Sequence, residues 1–177
     1  MPWWFWLIVA FVLLAGYVAA TSNRLDRLHA RLDAAQAALD AQLVRRSAVT
    51  LEIAASGLLD PATSVLLASA AHAARASSGD ERELGESELT GALRAAFTDP
   101  NVAATLAADP SGVALLHELD AAVTKVPLAR RFYNDAVRAT LAVRRHRVVR
   151  WLHLEGRARP PQFFEMDDEP AARLSVK

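Results

Sequence analysis

Trp3 to Ala20 reads WWFWLIVAFVLLAGYVAA, a run without charge or strongly polar side chain. As a helix rising 1.5 Å per residue it covers roughly 27 Å, close to the ~30 Å hydrocarbon core of a bilayer. Trp3, Trp4 and Trp6 crowd one end and Tyr17 lies near the other. Amphipathic rings favour the headgroup level, so this pattern reads as a spanning helix with interfacial belts. A cleaved signal peptide requires a positive n-region. Here only the α-amine precedes the apolar run, although Val18-Ala19-Ala20 has the small residues of a cleavage site. A buried core helix fits less well, because the segment is apolar on every side. The reading adopted is an uncleaved anchor over 1–22, and a secreted helical protein is the alternative if the segment is removed.

Orientation follows from the flanks. Arg24, Arg27 and Arg31 follow the span closely. Basic residues stay on the cytoplasmic side, and Asp26 and Asp33 count little in that rule. The expectation is a single-pass cell-membrane protein with its N-terminus outside and its remaining domain in the cytoplasm.

About 155 residues follow the anchor, enough for one domain. The formal net charge is +0, which gives no global bias toward nucleic acid. There is no cysteine, so disulfides and thiolate metal sites are excluded. Alanine is abundant beside Leu, Arg and Glu, and all four favour helix because they lose little rotamer freedom there. The expected class is all-α: an N-terminal transmembrane helix followed by an antiparallel four-helix bundle over 23–155, with a mostly irregular tail over 156–177.

Leu25, Leu28, Leu32, Ala35, Leu39 and Leu43 recur at three- and four-residue spacing, which places them on one helical stripe. The stripe continues through Ala48, Leu51 and Ala55 to a helix end at Gly57. No Pro or Gly interrupts 17–56, so the span is expected to run on into this helix. A parallel coiled-coil dimer is the rival use of such a stripe, but mixed Leu and Ala over about three heptads suits a bundle better. Asp60-Pro61, Asp99-Pro100 and Asp109-Pro110 are helix starts, with Asp capping free N–H groups and Pro preset for the first turn. The second helix carries Val65, Leu66, Ala68, Ala70 and Ala74 toward the core and ends before the loop Ser77-Ser78-Gly79-Asp80. Asp80 and Glu83 have capping-box spacing. The third helix, 81–97, is expected to bury Leu84, Leu89, Leu93, Ala96 and Phe97. A short helix carries Val102 and Leu106. The last long segment runs from Ser111 to about Glu155, burying Val113, Leu116, Leu119, Ala122, Val123, Leu128, Phe132, Ala136, Val137, Leu141, Val148, Val149 and Leu152. Pro127 is expected to kink or break it. Phe163 and Phe164 are expected to dock the tail.

The most distinctive stretch is Ala129-Arg130-Arg131-Phe132-Tyr133-Asn134-Asp135-Ala136-Val137. It resembles the ARxxYNxxV signature in the last long helix of the LemA family. Leu39 to Arg46, ending in Arg45-Arg46, is similar to that family's first-helix run, and Gln162-Phe163-Phe164-Glu165 to its terminal aromatic pair. The family's second Tyr-Asn pair falls here at Thr140 and Leu141. The resemblance implies a membrane-anchored antiparallel helical bundle without an assigned activity, acting as a scaffold or interaction module at the cell envelope. Tyr133 and Asn134, with Arg130, are expected to serve the bundle's register by hydrogen bonding to the Arg45–Arg46 region, with ligand binding as the second reading.

Enzymatic motifs are incomplete. His117-Glu118 begins a zincin helix, but position 121 is Ala. The five histidines are scattered without acidic companions at ligand spacing. Arg82-Glu83-Leu84-Gly85-Glu86 matches the core of a Nudix box, yet the required second Glu is Ser87. A Nudix-like hydrolase is kept as the enzymatic alternative. The reading is a non-enzyme with no catalytic residue, no metal site and no cofactor.

Arg138, Arg144, Arg145, Arg147 and Arg150 lie close together, with Trp151 among apolar neighbours. Up-down topology would return this end to the inner leaflet. Each basic residue near an anionic surface is worth ~1 kcal/mol, and Trp suits the interface. Arg144, Arg145, Arg147, Arg150 and Trp151 are therefore the candidate contacts to anionic lipid headgroups. The expected partners are the bilayer, a protein partner and a second copy of the chain. Nucleic acid is not among them, because no recognition fold accompanies the arginines.

Overall fold

The computed structural model describes residues 2–144 and 160–169. Among the described residues five helices follow in order: α1 (Trp3–Ala55), α2 (Pro61–Ala76), α3 (Glu81–Ala96), α4 (Pro100–Ala107) and α5 (Pro110–Arg144). No strand occurs among the described residues. The all-α class is thus as expected, and α1 carries the apolar run and the amphipathic stripe as one helix.

The three Asp-Pro starts act as the sequence implies. Asp60 Oδ1 accepts from the N–H groups of Ala62 and Thr63, both at 3.0 Å. Asp99 Oδ1 accepts from Asn101 N at 2.9 Å, and Asp109 Oδ1 from Ser111 N at 2.8 Å. Asp80 differs: it has αR backbone angles and makes no side-chain cap bond. No capping box forms there, and its Glu83 accepts instead from the backbone N–H of Glu165 at 3.0 Å. α1 ends at Ala55 and is followed by Gly57 with φ 72°, a left-handed conformation that glycine adopts without Cβ strain.

α5 passes through Pro127 without a break. The proline removes one N–H donor, but the helix is long and buried on both sides of it, with Val126 and Ala129 both in the interior. Tertiary packing outweighs the local cost.

The chain divides into two compact units. The first comprises residues 1–36 and 133–163. Its buried cluster joins Leu32 of α1 to Ala136 and Val137 of α5, with Ala35, Tyr133 and Leu141 packed against it. Its apolar segment is bare: Trp3, Trp4, Trp6, Phe11, Leu13 and Tyr17 are all exposed. None of the most hydrophobic window of α1 is covered by protein. It forms, among the described residues, one helix long and apolar enough to cross a membrane.

The second unit comprises residues 37–132 and 164–177. Its core draws on all five helices: Val49 and Ile53, Leu67 and Ala71, Leu89, Leu93 and Phe97, Val102 and Leu106, and Leu116, Leu119 and Val123. α2 and α3 approach closely at Gly85, where an added Cβ would lie 2.7 Å from Ser77 Oγ and 3.3 Å from Ala74 Cα.

Several expected core positions are instead exposed: Val65, Leu66, Leu84, Leu128 and Phe132. The stripe of α1 also shifts. Ala48 and Leu51 are half-buried and Ala55 is exposed, while Arg46, Val49, Thr50 and Ile53 hold the interior. A buried arginine sits in the seam, so a stripe drawn through apolar residues alone leaves the true one after Leu43. The side chain of Leu25, the continuation of the last helix to Glu155 and the tail over 156–159 and 170–177 lie outside the described residues.

Candidate functional site

Arg46 is the most unusual residue of the second unit. Its side chain is 3 % exposed, and that of its partner Glu86 is 4 % exposed. Arg46 Nη2 donates to Glu86 Oε2 at 2.5 Å and to the Glu86 carbonyl at 3.0 Å. Nη1 donates to Thr90 Oγ1 at 2.9 Å. Thr90 in turn donates to the Glu86 carbonyl at 3.0 Å. One turn of α3 thus presents a carboxylate, a carbonyl and a hydroxyl to one guanidinium, because residues four apart share a helix face. Burial pushes the Glu86 carboxyl above its ordinary value, and the Arg46 charge, its hydrogen bond and Arg82 draw it partly back. Beside Glu86 a cavity of about 290 Å³ is lined by Val44, Ser47, Ala74, Arg75, Ser77 and Arg82.

Arg45 points elsewhere and pairs with Glu118 of α5. The sequence joined the Arg45–Arg46 region to Tyr133 and Asn134; the partners of Arg46 are on α3 instead. Tyr133 Oη donates to the Gln162 carbonyl at 3.0 Å within the first unit. Asn134 is half-buried there. Arg130 belongs to the second unit and donates from Nε to Asp168 Oδ2 at 2.9 Å.

That last bond belongs to a strap. Residues 164–169 have no regular secondary structure and lie along α3. Glu165 N donates to Glu83 Oε1 and Asp167 N to Ser87 Oγ, both at 3.0 Å. Arg94 Nη2 donates to Asp167 Oδ2 at 2.9 Å and to the Glu169 carbonyl at 3.0 Å. The register is physical. Two residues of extended chain advance ~6.6 Å, and four residues of helix advance ~6 Å. Hence 165 meets 83 and 167 meets 87, with strap and helix running in the same direction. Between these bonds Met166 is buried. The expected aromatic dock is corrected here: Phe163 is exposed, Phe164 is half-buried, and the buried apolar residue is Met166. Asp167 is held below the usual carboxylate range, chiefly by the Glu169 N–H and then by Arg94.

The Nudix-like fragment falls across these same contacts. Glu83 receives the strap and Glu86 holds Arg46. Among the described residues no group of three or more His, Asp or Glu is placed to hold a metal ion. Of the lipid-contact candidates, Arg144 closes α5 and is half-buried. Arg145, Arg147, Arg150 and Trp151 lie outside the described residues. Thr90, Arg94, Asp167 and Asp168 escaped the sequence reading, and Glu86 entered it only as part of the Nudix-like fragment, because carboxylates and arginines far apart in sequence show no spacing that links them. Comparison with protein-family models, curated proteins and solved structures returns no match to this chain.

Proposed function

We propose that this chain is a single-pass membrane protein whose helical domain serves on the cytoplasmic side as a non-enzymatic scaffold or interaction module. The observation that carries the reading is the bare apolar helix: tryptophans, Phe11 and Leu13 stand exposed on a segment of bilayer length. Exposed apolar surface of this extent marks a membrane or a partner. Arg24, Arg27 and Arg31 after the span favour a cytoplasmic domain. The arrangement proposed is a LemA-like antiparallel four-helix bundle, resting on the Arg130, Tyr133 and Asn134 signature. A structural role for Glu83 and Glu86 suits a module that binds rather than hydrolyses.

The basic end of the last helix is proposed to touch anionic headgroups. Residues 22–177 should then bind vesicles containing phosphatidylglycerol and leave neutral vesicles alone. Salt should weaken this binding, since the screening length is only ~10 Å at 0.1 M. Replacing Arg144, Arg145, Arg147 and Arg150 by Gln should remove most of it, with helix retained because Gln is a comparable helix former. Equal binding to neutral vesicles would contradict the lipid contact.

A further inference from the structure

The strap over 164–169 is built as a ligand rather than as a core element. Its contacts to α3 are made by two backbone N–H groups, one carbonyl and one carboxylate. A further carboxylate of the strap, that of Asp168, meets Arg130 of α5, with 2.9 Å from Nη2 to Oδ2. One side chain of the strap, Met166, is buried. Backbone bonds at alternate residues, one apolar anchor and two flanking charges make up a peptide-recognition pattern. The receiving surface reads the same way from its own side. Glu83, Ser87 and Arg94 recur on one face of α3, offering acceptors first and a guanidinium last.

We infer that the groove formed by Glu83, Ser87 and Arg94 of α3 with Arg130 of α5 is a docking site for an acidic extended peptide of a partner protein, one with an apolar residue followed by two carboxylates, and that residues 164–169 occupy it in cis until displaced. Charge complementarity identifies the occupant: two arginines face two consecutive aspartates. The strap is also an incomplete filler. With the strap in place, Arg94 Nε is buried and makes no hydrogen bond. A segment held by one exposed and one half-buried ion pair, a few hydrogen bonds and one methionine gives way to a competitor of the same chemistry. This inference rests on the reading of the domain as an interaction module. Its test does not involve the anchor, so membrane attachment and peptide capture fail or succeed separately.

The test uses the full chain in detergent micelles and a fluorescent peptide with the sequence of residues 160–169. Met166→Ser with Asp167→Asn and Asp168→Asn should free the groove. Anisotropy should then show the peptide binding the freed chain at least tenfold more tightly than the unaltered chain, whose own strap competes. The same peptide carrying Asp167→Asn and Asp168→Asn should bind at least tenfold more weakly, a comparison that leaves the protein's fold untouched. Adding Arg94→Gln and Arg130→Gln to the freed chain should abolish binding. No binding to the freed chain, or equal affinity for the peptides with and without the two aspartates, would overturn the inference. So would dimerisation of the unaltered chain that is lost with the three strap substitutions, which would assign the groove to a second copy.

Discussion

At the residue scale, the Arg46–Glu86 pair decides how the second unit responds to substitution. Breaking a buried pair leaves one charge unpaired and costs ~3–5 kcal/mol, whereas replacing both partners by apolar groups of similar volume is often neutral or stabilising. Arg46→Met and Glu86→Leu should therefore each lower the denaturant midpoint sharply in detergent-solubilised protein. The double variant should return to within ~1 kcal/mol of the unaltered chain. Additive losses would show that the pair does not hold α1 to α3 as a unit. The same pair gives a pH effect. Burial raises the folded-state carboxyl of Glu86, so the folded state binds more protons than the unfolded one above the ordinary glutamate value of 4.5. Stability from this group is fully present below that value and is lost as pH rises through the raised one. Unfolding midpoints followed upward from pH 4.5 should fall in the unaltered chain, and that component should vanish in Glu86→Gln. A rising midpoint assigned to Glu86 would contradict the direction of its shift.

At the element scale, what could be read in the sequence is the set of helix boundaries with a local chemical cause. Asp60, Asp99 and Asp109 precede prolines and cap their helices as read, and Gly57 follows the end of α1 with its positive φ. Burial was less legible. Leu84 is as apolar as Leu89, yet only the contacts of the folded chain leave one exposed and bury the other. Arg46 was invisible as a core residue because its partner lies forty positions away. The strap was legible only as a tail with an aromatic pair, since its register depends on α3. Two glycines make the packing testable. An added Cβ at Gly91 meets nothing within 4 Å, so Gly91→Ala should raise stability by ~0.8–1 kcal/mol through helix propensity alone. At Gly112 it would lie 2.1 Å from the Leu106 carbonyl oxygen, so Gly112→Ala should destabilise by ~1–3 kcal/mol through forced backbone movement. Thermal midpoints of the two variants should move in opposite directions. A Gly112→Ala midpoint equal to the parent's would mean that α4 and α5 do not meet as closely as the structure has them.

At the scale of the whole molecule, the chain carries a bare apolar helix of membrane-spanning length and a helical domain with its own core. Leu39 lies in that core at 2 % exposure, so Leu39→Ala should cost ~2–5 kcal/mol without releasing the protein from membranes. The chain lacks cysteine, which permits one direct reading of topology. Ser78 is exposed in the loop between α2 and α3 and tolerates a labelling site. Ser78→Cys protein should sediment with membranes, resist a membrane-impermeant maleimide in intact cells, and react fully once the cells are permeabilised. Recovery in the soluble fraction, or full labelling in intact cells, would contradict a membrane-anchored cytoplasmic domain.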